Sequence, residues 1–420
     1  MTSKQRLQTT LIHHASDRIC VDFGATHVSG IHVRCIEALR RHFGLEAHPI
    51  KVSDSYQMLG QIEEDLQSVL GIDVGGIMGS CDFFGTPQQR WKEFRTPWGQ
   101  VVLVPGGFNT ELRNENGDYL MFPQGDTAAP ASGHMSESGY FYNGIIRQQE
   151  IVEERLDPKE NLEEFGPIAE SELQYYKVQS DRLKARNMGA VLSMPGTALG
   201  DIALIPALHM KHPKGIRDIA EWYISTVMRP DYIHAIFERQ TEIAIENFNR
   251  VFTVLGNDID VINLCGTDFG TQDSQFCSSG TFRELYLPYY SKMTDWIHTH
   301  TTWKTFKHSC GAILPLLSDL IEAGFDCINP VQINAKDMHP EALKKEFGDR
   351  LVFWGGGIDT QVTLMEGTPA QVREEVRRLC DIFGENGGYV FCSVHNLQAN
   401  VPPENLFAVA DAIRQINGLS

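Results

Sequence analysis

From residue 261 onward the chain repeats one phrase: a short apolar or β-branched run, a turn, and an amphipathic stretch of helical length. VINLCGTDFG leads into TFRELYLPYYSKMTDWIHTH, TTWKTFKHSCG into ILPLLSDLIEAGF, and DCINPVQ into HPEALKKEFG. LVFWGGGID then leads into TPAQVREEVRRLCDIFG, and GYVFCSVHN into VPPENLFAVADAIRQING. Strands separated by single helices pair in parallel through right-handed crossovers, which leaves a doubly wound sheet or a closed (β/α)8 barrel. The number and evenness of the repeats predict an α/β fold of the TIM-barrel type. In the first half, RICVDFG and AVLSMP read as further barrel strands, and the helical stretch 215–256 is expected to break at Pro230. WGQVVLVPGGFNTELRNENGDYLMFPQGD shows antiparallel hairpins with an Asn116-Gly117 turn. The expected organisation is one domain over residues 1–420, with an insertion at about 85–185 over one mouth, whose aromatics, Phe108, Tyr119, Phe122, Tyr140, Phe141 and Tyr142, suit either the wall of a substrate lid or a mini-core within the hairpins.

A chain of 420 residues suits one such barrel. With 36 basic against 54 acidic residues, the formal charge of −18 repels nucleic acid and anionic membrane surfaces. The opening MTSKQRLQTTLIHHASDR lacks a signal-peptide core, and no stretch approaches the roughly 18 apolar residues of a membrane span. A soluble, cytoplasmic protein is expected. Nine scattered cysteines argue against a disulfide scaffold. Cys20, Cys35, Cys277, Cys327 and Cys380 read as small core residues, with Cys265 less plainly so.

Barrel chemistry gathers at the C-terminal strand ends. In this chain those ends carry Cys265 and Asp268, His308 and Cys310, Asn329 and Gln332, Asp359, then Cys392 and His395. In an extended segment, side chains two apart face the same way, so His308 and Cys310 converge on one point, and Gly311 lets the chain turn away. Spacing by itself leaves a metal half-site and a packed pair both open. A catalytic zinc site needs a third protein ligand, and Cys392 is the candidate, making the metal set His308, Cys310 and Cys392. Asp268, Gln332 and His395 are candidate catalytic groups, and Asn329 and Asp359 candidate cofactor-side groups. Each also suits a structural hydrogen-bonding role.

The segments SDRICVDFG, HSCG, INPVQ, FWGGGIDT and VHNLQANVPPENLFAVADAI resemble the uroporphyrinogen decarboxylase superfamily, along nearly the whole chain. The resemblance implies a (β/α)8 barrel and one of two chemistries. ATHVSGIHVRCIEALRRHFG lacks the arginine-bearing signature of the decarboxylase branch, whereas His308, Cys310 and Cys392 match the ligand pattern of the methyltransferase branch. That branch implies Zn2+ and a methyl group moved between a small methoxylated or methylated substrate, or a thiol, and a corrinoid (cobalamin) carrier. The chain has no Asp-x-His-x-x-Gly segment, so the carrier is expected to be a separate protein, and the resemblance allows a homodimer. The alternatives are a metal-independent lyase of the same superfamily acting on a carboxylated small molecule, and a metal-stabilised binding protein.

Overall fold

A computed structural model describes residues 1–109 and 112–419, apart from the side chain of Cys265. Eight parallel strands form its centre: Cys20–Val21 (β1), Val74–Ile77 (β2), Gly189–Ser193 (β3), Val261–Cys265 (β4), Lys304–His308 (β5), Cys327–Asn329 (β6), Val352–Trp354 (β7) and Tyr389–Phe391 (β8). They pair in the order β1-β8-β7-β6-β5-β4-β3-β2, every ladder parallel. This is the expected barrel. Alternate strand residues point inward, so Val191, Val261, Phe306, Cys327, Val352, Trp354 and Val390 pack into one interior cluster. Leu7 and Leu11 of the N-terminal helix Ser3–Leu11 enter the same cluster and plug the bottom.

The two strands at the seam, β1 and β2, share no ladder; Asp73 closes the gap. Its main chain donates to Val21 O at 2.9 Å, and its carboxylate accepts from Val21 N at 3.1 Å. The fully buried carboxylate is clamped by Arg6 at 2.6 Å and by both terminal nitrogens of Arg18 at 2.8 and 2.9 Å. Higher on the seam, a Cβ on Gly76 would stand 2.3 Å from Ala25 O, so only glycine permits that backbone approach.

The helices bracket Pro230 as expected: Ile219–Met228, then Pro230–Leu255 with the proline opening the second helix. The antiparallel strands build two small sheets. One joins Leu59–Gly60, Ile50–Asp54, Val101–Val104 and Lys92–Arg95; the other joins Tyr119–Met121, Gly133–Met135 and Asn143–Gly144. Phe108 and Tyr142 pack edge-on with Phe94 and Phe84 respectively, at 5.2 and 5.9 Å between centroids. Those two rings therefore form a mini-core and are not free to wall a substrate. Among the described residues no helix is long and apolar enough to cross a membrane.

Candidate metal centre

β5 delivers Phe306 and His308 to the barrel interior, and β6 pairs beside it with Asn329 opposite His308. That register decides the imidazole's state. Asn329 donates through Nδ2 to Trp354 O at 2.8 Å, which leaves its Oδ1 to accept from His308 Nδ1 at 2.5 Å. The proton of His308 is thereby held on Nδ1, and the Nε2 lone pair faces Cys310 Sγ at 3.3 Å. Metal-binding histidines are oriented by a partner on the other ring nitrogen in this way. Asn329, expected on the cofactor side, acts through His308.

The turn after β5 is fixed by its main chain. Asp268, from the loop after β4, accepts from Cys310 N at 2.7 Å and lies 3.7 Å from His308 Nε2. Gln332, from the loop after β6, accepts from Gly311 N at 2.7 Å and donates to Gln272 Oε1 at 2.7 Å. Gly311 has φ +92°, and a Cβ there would lie 2.3–2.5 Å from the Gly270–Thr271 backbone. Two loops thus grip the turn, and glycine is required at its apex.

The third ligand-type side chain near this pair is His395. One ligand atom each from His308, Cys310 and His395 lies within 4.8 Å of the others, a grouping that could hold a metal ion. The two imidazoles meet edge to face at 5.5 Å between centroids. Cys392, the expected third ligand, is not in this group. It continues the inward alternation of Val390, so its thiol falls in the packed interior with Trp354 and Phe306. His395, three residues further along the loop after β8, takes the place at the mouth. Asp359 also falls outside the group: its Oδ1 accepts from Asn334 Nδ2, Gln361 N and Val362 N, which pins the loop after β7. Cys265 has a side chain outside the described residues.

Burial sets the charge state of the donors. It lowers the His308 pKa against the pull of Asp268 and Asn329, and lowers that of His395 to about 4, with His308 adding to the shift. Both rings are neutral at pH 7, as metal ligation requires. Burial and then Asp268 push the Cys310 thiol up. A soft thiol and two neutral imidazoles, one already oriented, suit zinc, whose catalytic sites take three protein ligands of this kind. Asn329→Ala is expected to weaken zinc binding by roughly 10- to 100-fold through His308, as competition with a chelator would show.

Sequence reasoning missed Asp201. It lies in the irregular segment after β3, with no ligand-type spacing to mark it, and is buried with Oδ1 accepting from Ala203 N at 2.8 Å. Burial and then the charge of Asp268 raise its carboxyl to about 7. The folded pKa exceeds the unfolded value of about 3.9, so the folded state keeps a proton that the unfolded chain releases. Stability therefore falls as pH rises from about 4 to 7 and levels off above that. Asp201→Asn should be more stable than the parent by about 2–4 kcal/mol at pH 8 and about equal at pH 4, by urea denaturation.

The family model described as Uroporphyrinogen decarboxylase (URO-D) matches residues 158–416, more than half of the chain. The chain belongs to the uroporphyrinogen decarboxylase family. This URO-D-family barrel is 32% identical over 76 residues to a uroporphyrinogen decarboxylase of Psychromonas ingrahamii, covering 18% of the chain and 21% of that relative. It is 21% identical over 288 residues to the Vibrio campbellii enzyme, covering 64% and 71%. With the Aliivibrio salmonicida enzyme the match covers 50% of the relative, so the chain spans from a fifth to half of the first two relatives. A solved methyltransferase from Methanosarcina mazei is similar over 99% of both chains, at 15% identity and a TM-score of 0.53, and shares the fold.

Proposed function

We propose that this URO-D-family barrel is a zinc-dependent methyltransferase that moves a methyl group between a small methoxylated or methylated substrate, or a thiol, and a corrinoid carried by a separate protein. The observation that carries this reading is the convergence of His308, Cys310 and His395 at the C-terminal mouth. When bound, zinc supplies Lewis acidity, holding a thiol as thiolate or polarising an ether oxygen. The chain's part is to present the donors and manage protons. Asn329 keeps the His308 lone pair at Nε2, and Asp268 and Gln332 hold the turn that presents Cys310. Asp201, with its carboxyl near pH 7, is placed to give a proton to a departing alkoxide or take one from an entering thiol.

The names of the curated relatives favour the second reading, a metal-independent lyase of a carboxylated molecule. The field at the mouth speaks against it. Among the described residues, Asp268, Lys307 and Asp201 are the charged groups that act most on Cys310. Lys307 lies on the outward side of β5, fully buried, with its ammonium bonded to the carbonyls of Thr267 and His308. A substrate carboxylate beside Cys310 would thus meet two acidic side chains, while the nearby Lys307 ammonium is already engaged by backbone carbonyls.

The test mixes the zinc-loaded protein with a reduced corrinoid protein under anaerobic conditions and follows the cobalt absorption bands. Zinc-dependent methylation of cobalt from a methoxylated or methylated donor is expected. Carbon dioxide release from a carboxylated substrate by the metal-free protein, with the cobalt bands unchanged, would favour the lyase.

A further inference from the structure

Between the loops after β6 and β7 and the helix Pro369–Gly384 lies a cavity of about 670 Å³. None of His308, Cys310 and His395 lines it. The volume lies within the range of small-molecule sites, roughly 300–1,000 Å³. Ile333, Pro340 and Val362 supply apolar wall, and the carboxylates of Asp359, Glu366, Glu374 and Glu375 stand on it against one cation, Arg378.

Asp359 is the anchor. It is 8% exposed. Its Oδ1 is occupied by Asn334 Nδ2, Gln361 N and Val362 N at 2.9, 2.8 and 3.2 Å. Oδ2 has no hydrogen-bond partner among the described residues, and it is not one of the unpaired atoms sealed away from solvent, so it opens on the cavity that Asp359 lines. A carboxylate so far withdrawn from water ordinarily has donors on both oxygens. The unpaired oxygen marks where a charged N–H donor fits.

The rest of the wall gives the ligand its charge and its shape. Arg378 is taken up by Glu341 at 3.1 Å, and Glu374 by Arg377 at 3.2 Å. Glu366 and Glu375 have no ion-pair partner among the described residues, and Glu375 Oε1 accepts from Asp359 N at 3.2 Å. Three carboxylates are thus left without a counter-ion, so the cavity repels anions and draws cations. They do not converge as metal ligands do. Among the described residues, three ligand atoms lie close enough for one ion only at His308, Cys310 and His395. Negative charges spread along a wall that is otherwise apolar fit an alkyl chain with an ammonium at each end.

We propose that this cavity binds a linear alkyl diamine or polyamine in its protonated form, one ammonium donating to Asp359 Oδ2 and a second pairing with Glu366, with the methylene chain on Ile333 and Val362. The assignment is independent of the chemistry proposed for the metal centre.

Calorimetry on the full chain at low ionic strength with putrescine tests it, with butylamine and Mg2+ as comparators. We expect one putrescine per chain, and the monoamine weaker by about fivefold or more because it meets one carboxylate instead of two. Asp359→Asn keeps the oxygen to which Asn334 Nδ2, Gln361 N and Val362 N donate and removes the charge from the other atom, so affinity should fall by about tenfold or more. Glu366→Gln, at an exposed position, should cost about 2- to 5-fold. Glu170→Gln removes the same charge from an exposed residue that does not line the cavity and should bind as the parent does. Circular dichroism checks the fold of Asp359→Asn, and Glu366→Gln decides the case should that variant unfold. Absence of binding, parental affinity in a folded Asp359→Asn or in Glu366→Gln, an equal loss in Glu170→Gln, or butylamine or Mg2+ binding as tightly as putrescine would each overturn the proposal.

Discussion

Cys310→Ala is expected to strip the protein of zinc while leaving the barrel folded. Cys310 supplies the only thiolate of the His308–Cys310–His395 group, and its side chain lies at the mouth, outside the interior cluster. Losing a ligand should cost more than losing an orienting partner, whose removal costs roughly 10- to 100-fold in affinity, so metal content should fall to background after dialysis. His395→Ala should behave alike. Cys392→Ala should retain zinc, because its thiol is buried in the barrel interior. The Cys310 thiol must lose its proton on binding, and burial holds that proton tightly, so zinc affinity should rise with pH across the neutral range. Metal analysis of the three variants, with circular dichroism as the folding control, reads these outcomes. Zinc retained by Cys310→Ala, or lost from Cys392→Ala with His395→Ala unaffected, would reverse the ligand assignment.

The second large effect lies at the opposite end of the barrel. Asp73→Ala should destabilise the protein by about 3–5 kcal/mol, because it leaves the guanidinium groups of Arg6 and Arg18 without their buried carboxylate and opens the seam between β1 and β2. Asp73→Asn should cost less, since the amide oxygen still accepts from Val21 N. Urea denaturation with the unfolding slope checked for each variant separates these cases. An Asp73→Ala protein as stable as its parent would show that the seam is held elsewhere.

The barrel was legible where each strand is apolar and each helix amphipathic, from β4 to the end of the chain. The second strand was not: Val74-Gly75-Gly76-Ile77 has little β-propensity, because Gly76 answers to the close approach of Ala25 rather than to strand preference. His308 and Cys310 could be read from their spacing and the glycine that follows. Residue type alone did not single out His395 as the third candidate, since cysteine and histidine both ligate zinc. Strand parity carried the signal: Cys392 shares the inward phase of Val390 and enters the core, and the chain reaches the mouth only at His395. Asn329 and Gln332 were found as strand-end groups, but their roles depend on which atoms they meet, which register and loop course decide. Asp201 sits in the irregular segment after β3, and no local pattern points to it.

Everything proposed for the mouth of the barrel depends on a zinc held by one sulfur and two imidazole nitrogens. X-ray absorption at the zinc edge of the purified, zinc-loaded protein reads that shell without reference to activity. We expect one sulfur at about 2.3 Å and two imidazole nitrogens at about 2.0–2.1 Å, with a further light atom in the open position. A shell with two sulfurs would put Cys392 or Cys265 at the metal in place of His395. A shell without sulfur, or a protein that takes up no zinc, would refute the metal centre altogether.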